Sequence, residues 1–327
     1  MTGFILSRLL QSVSVMLAVA LVSFAIIRFV GDPLESIASQ DTRLEDRVEL
    51  KKRLGLDQPV HIQFLTFLQR GVTGDFGISY KQQEPVTRMI AERLPATLEL
   101  AFASATIALV VGGTLGVYCA LNPGSVATHL IMTLSLIGVS LPTFLIGIGL
   151  ISLFSVELGW LPSFGRGETV RLGWWTTGLL TTSGWRSLIM PAITLSLFQM
   201  TLLMRLVRAE MLEVLRQDYI RFARARGLSW RAVHFGHALK NTLVPVITVA
   251  GLQLGSVIAF AVVTETVFQW PGVGSLFIAS VQSVDVPVMA AYLVFIALLF
   301  VIINLVVDIL YYAVDPRLRI DNARAGA

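Results

Sequence analysis

The sequence predicts an all-α integral membrane protein with six transmembrane helices, and composition and hydropathy point to that class. Apolar residues make up 55% of the 327 residues and charged residues only 14%, whereas a soluble domain carries about a quarter charged residues. The mean hydropathy is +0.74. Six stretches reach the roughly 20 apolar residues that cross a bilayer. They are residues 9–30, 97–121, 130–156, 188–207, 243–265 and 288–313.

The first stretch follows a short basic segment, a start that is also typical of a signal peptide. Its apolar run at 9–27 is longer than the core of a usual signal peptide, and no small-residue cleavage site follows it. We therefore interpret it as an uncleaved first transmembrane helix. The long loop behind it, 31–95, is expected to form a structured cap, with helices at 43–56 and 59–69. A solvated spacer is the alternative.

The charges of the loops predict the orientation. Residues 205–240 contain eight Lys or Arg against three acidic residues, and basic loops of this kind lie in the cytoplasm. The loop 31–95 mixes nine basic with ten acidic residues, and we place it outside. With six spans, both termini are then cytoplasmic. The excess of basic residues in cytoplasmic loops also accounts for the net charge of +4. No nucleic acid partner is needed to explain it.

Two local features refine the spans. Pro142 follows Gly138 within the third stretch and predicts a kink there. The loop 157–187 contains four of the six tryptophans, which favours anchoring at the membrane–water interface. A platform that stacks sugars is the alternative, and it would need polar partners that this loop does not supply.

Residues with catalytic or metal-binding potential are scarce. The sequence has no G-x-x-x-x-G-K-[ST] phosphate loop and no H-E-x-x-H motif. Its single cysteine, Cys119, excludes an internal disulfide. His234 and His237 are close in sequence but have no cysteine or acidic residue at ligand spacing. We expect no enzymatic activity, no metal site and no cofactor in this chain.

Ionisable residues inside spans usually mark ion pathways, and few are present here. Asn304 and Asp308 lie one turn apart near the cytoplasmic end of the sixth span, where a structural role is favoured over ion coupling. Glu265 ends the fifth span, and we expect it to be within reach of water. A self-sufficient secondary transporter or channel, the rival class, would need more charges at the midplane.

Small residues form a stripe on the fifth span. Gly251, Gly255 and Ala259 recur every four residues, a spacing that lets another helix approach closely or that lines a narrow passage. Gly112 and Gly116 repeat the spacing on the second span.

The most informative segment is 218–245, DYIRFARARGLSWRAVHFGHALKNTLVP. It predicts a basic helix at about 217–226 that Gly227 ends, because glycine adopts the left-handed conformation of many helix ends. The segment resembles the coupling loop of ABC-importer permeases, in particular the dipeptide and oligopeptide branch. GDFGISY, LPATLELA, ETVFQWPGVG and NLVVDILYYAVDPR match the same branch in order and spacing.

There is one departure from the general motif of these permeases. The motif opens with Glu-Ala-Ala, and the corresponding positions are Arg221, Phe222 and Ala223. A contact between that glutamate and an ATPase is therefore not carried over to this chain.

The resemblance implies a type I ABC importer permease fold in three parts. Residues 1–95 would hold the first transmembrane helix and the large extracytoplasmic loop. Residues 96–314 would form a five-helix core that includes the coupling segment 209–241, and 315–327 a cytoplasmic tail. The protein is expected to lie in the bacterial inner membrane.

The resemblance also implies function and partners. The chain would be the first of two homologous permeases in an importer of di- or oligopeptides, or of glutathione, opines or nickel complexes. Two ATPase subunits would bind ATP and magnesium, and a substrate-binding protein would deliver the solute. The residues implied in coupling to the ATPase are Tyr219, Ile220, Ala223, Arg224, Ala225 and Gly227.

Overall fold

A computed structural model describes residues 2–29 and 57–314 of the chain, with side chains at 8–29 and 57–309. Ten α-helices lie within these residues. They are α1 Thr2–Phe29, α2 Val60–Thr73, α3 Val86–Leu121, α4 Val126–Ser140, α5 Thr143–Leu150, α6 Thr182–Val214, α7 Asp218–Ala225, α8 Leu239–Val267, α9 Val273–Gln282 and α10 Val286–Val314. The helix expected at 43–56 and the tail 315–327 fall outside the described residues.

Three further segments connect these helices. A π-helical segment, Ile151–Glu157, continues α5, and a second one, Ala232–Ala238, leads into α8. The strands β1, Val170–Leu172, and β2, Trp175–Thr177, pair as a short hairpin.

Five helices of the described chain are long and apolar enough to cross a membrane: α1, α3, α6, α8 with its leading π-helical segment, and α10. The helix pair from α4 to Glu157 has the same composition but is bent by 108°. It is a sixth span only if the pair crosses as one unit. The all-α membrane fold is confirmed.

The stretch 130–156, expected as one span with a kink at Pro142, consists of two helices separated by a break. Leu141 has φ −92° and ψ 137°, and α5 starts after Pro142. Proline has no N–H to donate and forces the residue before it into an extended conformation, so α4 ends at Ser140. The kink predicted at Pro142 is a complete break.

Helix α6 is the most enclosed span, with 67% of its most apolar stretch buried. Glycines let two neighbouring helices reach its backbone. A Cβ atom on Gly112 or Gly116 of α3 would lie 2.7 Å from the carbonyl oxygen of Met200 or Met204. A Cβ on Gly138 of α4 would lie 3.0 Å from the Leu197 oxygen. The sequence prediction of close approach at Gly112 and Gly116 is confirmed.

The described chain forms two compact units. One contains the described residues up to 96 together with 171–176 and 271–301, and the other contains 97–170, 177–270 and the described residues from 302 onwards. In the first unit, the Asp285 carboxylate accepts hydrogen bonds from the Ser79 hydroxyl at 2.5 Å and the Tyr80 N–H at 3.1 Å. These bonds fix the glycine-rich segment after α2 to the start of α10.

Candidate coupling site

Helix α7 forms where the sequence predicts a short basic helix. It spans Asp218–Ala225, one residue inside the predicted range at each end. Asp218 lies in its first turn and Arg224 in its last, an arrangement that complements the helix dipole.

Gly227 ends α7 in the left-handed conformation, with φ +73°. The Leu228 N–H donates to the Ala223 oxygen at 3.3 Å, and the Gly227 N–H donates to the Arg224 oxygen at 2.9 Å. These two bonds form a Schellman motif, which satisfies carbonyls that the helix end would leave open. The predicted geometry of Gly227 is confirmed.

One face of α7 is buried against its own chain. Ile220 is fully buried and Ala223 is 7% exposed. Both belong to an apolar cluster, the α7 seat, which packs the helix against neighbouring segments of its own chain. The α7 seat consists of Ala120, Met211, Ile220, Ala223, Val233 and Ala238.

The other face of α7 is exposed, and this revises the residues expected to contact an ATPase. Because Ile220 and Ala223 pack inside the chain, they hold the helix in place and their side chains do not face a partner. Phe222 is 64% exposed and Tyr219 45% exposed. Arg224, Ala225 and Gly227 are also exposed. Phe222 was not among the contact residues predicted from the sequence, although aromatic side chains are enriched at protein interfaces.

The coupling segment continues directly into a span. Residues 232–267 form one helical stretch of 36 residues, which is about 54 Å at a rise of about 1.5 Å per residue. The hydroxyl of Tyr219 on α7 accepts a hydrogen bond from the Asn241 amide at 3.0 Å. This bond joins α7 to the start of α8.

The small-residue stripe on α8 is partly enclosed. Gly255 is buried and Ala259 is exposed. A Cβ on Gly251 would lie 2.7 Å from Cγ2 of Val307 on α10, so the backbones approach closely there. Gly251 also borders a cavity of about 420 Å³ between α3, α6, α8 and α10, whose lining is mostly aliphatic. The contact supports a packing role for Gly251.

Replacing Gly251 with leucine is expected to lower the yield of folded protein. The leucine would overlap Val307, and the β-branched valine has few other rotamers that could relieve the overlap. Overpacking of this kind costs about 1–3 kcal/mol. The added Val307→Ala change should restore much of the loss by making room. Yield of folded protein in detergent would measure both variants, and a Gly251→Leu yield equal to wild type would contradict the packing.

A buried ion pair lies in the second unit. Arg166, in the loop after α5, donates from Nη2 to Oε2 of Glu99 on α3 at 2.6 Å and from Nε at 3.1 Å. The Gly178 N–H donates to the same oxygen at 3.4 Å. Both side chains are at least nine-tenths buried. This pair was not predicted from the sequence, although an acidic residue inside a predicted span is a signal for it.

Glu265 is also buried, and the expectation that it lies within reach of water is wrong. It is 0% exposed, and its Oε1 accepts a hydrogen bond from the Thr97 hydroxyl at 2.6 Å. The chain folds back after α8, with the Trp270 N–H donating to the Glu265 carbonyl at 2.8 Å. The buried rings of Phe268 and Trp270 then exclude water from the helix end.

The remaining polar candidates are held by neighbouring groups. His234 is buried, and its Nδ1 lies 2.7 Å from the Trp230 oxygen. Asn304 and Asp308 each interact with other groups of the chain. Within residues 2–29 and 57–314, no three His, Cys, Asp or Glu side chains are grouped as a metal site would need.

The long apolar helices are typical of a membrane-spanning protein, and the family comparison defines its class. Residues 112–320 match the family described as "Binding-protein-dependent transport system inner membrane component", and residues 1–101 match the N-terminal region of the same component. The chain belongs to this family. It is a multi-pass protein of the inner membrane, a permease subunit of an ABC importer and not an enzyme, and it works with ATPase and substrate-binding partners.

Similar proteins cover nearly the whole chain. The di/tripeptide transport system permease protein DppB of Pseudomonas aeruginosa is 40% identical over 98% of this chain and 99% of its own length. The glutathione transport system permease protein GsiC of Salmonella paratyphi A is 36% identical over 98% and 99%. A solved structure of the MetNI methionine ABC transporter matches with a TM-score of 0.53 at 19% identity, over 67% of this chain and 93% of that one. That structure supports the fold alone.

Proposed function

We propose that this protein is one of two homologous membrane subunits of an ATP-driven importer for di- and oligopeptides. The observation that carries the substrate class is the 40% identity to a di/tripeptide permease over almost the full length of both chains. Glutathione is itself a tripeptide, and the 36% identity to a glutathione permease makes it the second candidate solute. Opine and nickel-complex transport have no comparable support among these relatives.

The power stroke comes from outside this chain. The sequence has no phosphate loop, so ATP and magnesium bind to two ATPase subunits below the membrane. The exposed face of α7, with Tyr219, Phe222 and Arg224, contacts one of them. The α7 seat and the continuous helix at 232–267 then pass the closure of the ATPases to the spans as a rigid-body movement.

The proposed orientation places both termini and α7 in the cytoplasm. Lys81 and Arg231 are exposed and lie on opposite sides in this arrangement, whereas Cys119 is buried. In a Cys119→Ser background, a cysteine at position 81 should react with an impermeant thiol reagent only from outside, and one at position 231 only from inside. Labelling of position 81 solely from inside would reverse the topology.

The substrate class is tested by uptake into vesicles that contain the purified permease pair, its ATPases and its binding protein. We expect labelled dipeptides and tripeptides to be taken up in the presence of ATP. An excess of unlabelled peptide should compete, and an equal excess of free amino acids should not. Competition by glutathione alone would assign the second candidate, and uptake without competition from any peptide would refute the peptide assignment.

A further inference from the structure

Three consecutive residues join the loop after α5 to three different helices. The Gly165 N–H donates to the Phe268 oxygen at the end of α8, at 2.9 Å. The Arg166 guanidinium is paired with Glu99 of α3 at 2.6 Å. The backbone of Gly167 lies against the start of α6, where an added Cβ would be 2.7 Å from the Ser183 carbonyl carbon. We refer to residues 165–167 as the tether.

Glycine is required on both sides of Arg166. Gly165 has φ +85° and Gly167 φ +71°, a region that L side chains rarely adopt. These two left-handed glycines flank the arginine, whose side chain is buried with 7% of its surface exposed. The local sequence G-R-G therefore builds a buried contact from an otherwise exposed loop.

The ion pair at the centre of the tether is incompletely satisfied. Three donors, two from Arg166 and the Gly178 N–H, converge on Oε2 of Glu99. The buried Oε1 has no hydrogen-bond partner among the described residues. Apolar side chains of similar volume are often as stabilising as a buried ion pair, so stability alone does not explain why charges are placed here.

We propose that the tether makes the outer ends of α3, α6 and α8 move as one body during transport, with Arg166 and Glu99 as its positioning residues. The inference rests on the proposed function and deepens it. Helix α8 begins at the coupling segment, so a movement received at α7 reaches Phe268, and the tether distributes it to α3 and α6. The opening on the outer side then lies between this chain and another subunit, because these three helix ends do not separate.

The first test removes the link without leaving a buried charge. The double variant Glu99→Gln, Arg166→Met has side chains of similar size and no ionised group. We expect it to assemble with the ATPases and to retain basal ATP hydrolysis. Stimulation of hydrolysis by the loaded binding protein should fall about tenfold, within the range of a typical coupling between sites. The exposed pair Arg88 and Glu92 on the same helix supplies the matched control, Arg88→Met with Glu92→Gln.

The second test disturbs the tether through its backbone and leaves the charges in place. Gly167→Ala forces a Cβ onto the backbone of α6 and should reduce stimulation like the double variant. Gly159 also has a positive φ, +64°, but an added Cβ there meets nothing within 4 Å. Gly159→Ala is therefore subject to the same backbone strain without the clash, and it should retain stimulation.

The two tests distinguish failure of the tether proposal from failure of the proposed function. If the wild-type complex is not stimulated by any loaded binding protein, the proposed function fails. If the wild type is stimulated and the double variant retains full stimulation, the ion pair only compensates buried charge and the inference is overturned. It is equally overturned if the double variant and Gly167→Ala both fail to accumulate while their controls do, since the tether is then a folding element.

Discussion

Ala223→Trp is expected to leave the protein in the membrane but to abolish most ATP-driven transport. Ala223 is buried in the α7 seat beside Met211 and Val233. This packed cluster has no room for an indole ring. Overpacking costs about 1–3 kcal/mol. Because α7 has only two turns, its displacement from the α7 seat is the easiest way to relieve the steric overlap. We expect uptake to fall by roughly tenfold or more, the factor that corresponds to about 1.4 kcal/mol.

Gly227 tests the same coupling helix from its end. Gly227→Val places a β-branched residue at φ +73°, a conformation that valine strongly disfavours. Gly227→Asn is the matched control, because asparagine tolerates the left-handed region. Co-purification with the ATPases and stimulated ATP hydrolysis should be lost in the valine variant and kept in the asparagine variant. Equal behaviour of the two would mean that the Schellman ending is not needed for coupling.

The alternative for this segment is a basic loop held by anionic lipid, at about 1 kcal/mol for each charge. Lipid attraction depends on charge, whereas docking depends on shape. Arg231→Gln should therefore have a smaller effect than Ala223→Trp or Gly227→Val. Full activity of both shape variants, together with loss of activity in Arg231→Gln, would exclude docking through α7.

The second large effect is expected where α3 meets α6. Gly116→Leu would place a Cβ 2.7 Å from the Met204 oxygen and 2.8 Å from Cβ of Val207. A backbone oxygen cannot turn away as a side chain does, so the helices must separate. We expect the free energy of unfolding to fall by about 3 kcal/mol, which is the upper part of the usual range for overpacking. Little folded protein should then accumulate.

Gly113 provides the control for this prediction. It is a glycine on the same helix, and an added Cβ there meets nothing within 4 Å. Gly113→Leu should accumulate like the wild type, and detergent-stable yield after membrane extraction would compare the two. Similar yields of Gly116→Leu and Gly113→Leu would contradict the close packing of α3 on α6.

The elements governed by local rules were predictable from the sequence. Apolar length located the spans, Pro142 predicted a kink, and the pattern of α7 with Gly227 predicted a capped basic helix. These depend on residues within a few positions of each other. The size of the break at Pro142 was not predictable, because a proline in a membrane helix is often accommodated by neighbouring helices.

The elements governed by tertiary contacts were not predictable. Ile220 and Ala223 form an apolar face that suits either the chain itself or a partner, and only the position of Met211 decides between them. The burial of Glu265 depends on residues 268–270 folding back over the helix end. Glu99 and Arg166 are 67 residues apart, and no local pattern links them.

The central claim is that this chain transports with energy supplied by ATPase subunits and not by an ion gradient. The most direct measurement is uptake of a labelled peptide by vesicles that hold the purified complex, with ATP kept constant and an uncoupler added. The account predicts that uptake requires ATP and the binding protein and is unchanged by the uncoupler. Uptake that persists without the ATPase subunits and collapses with the uncoupler would contradict it.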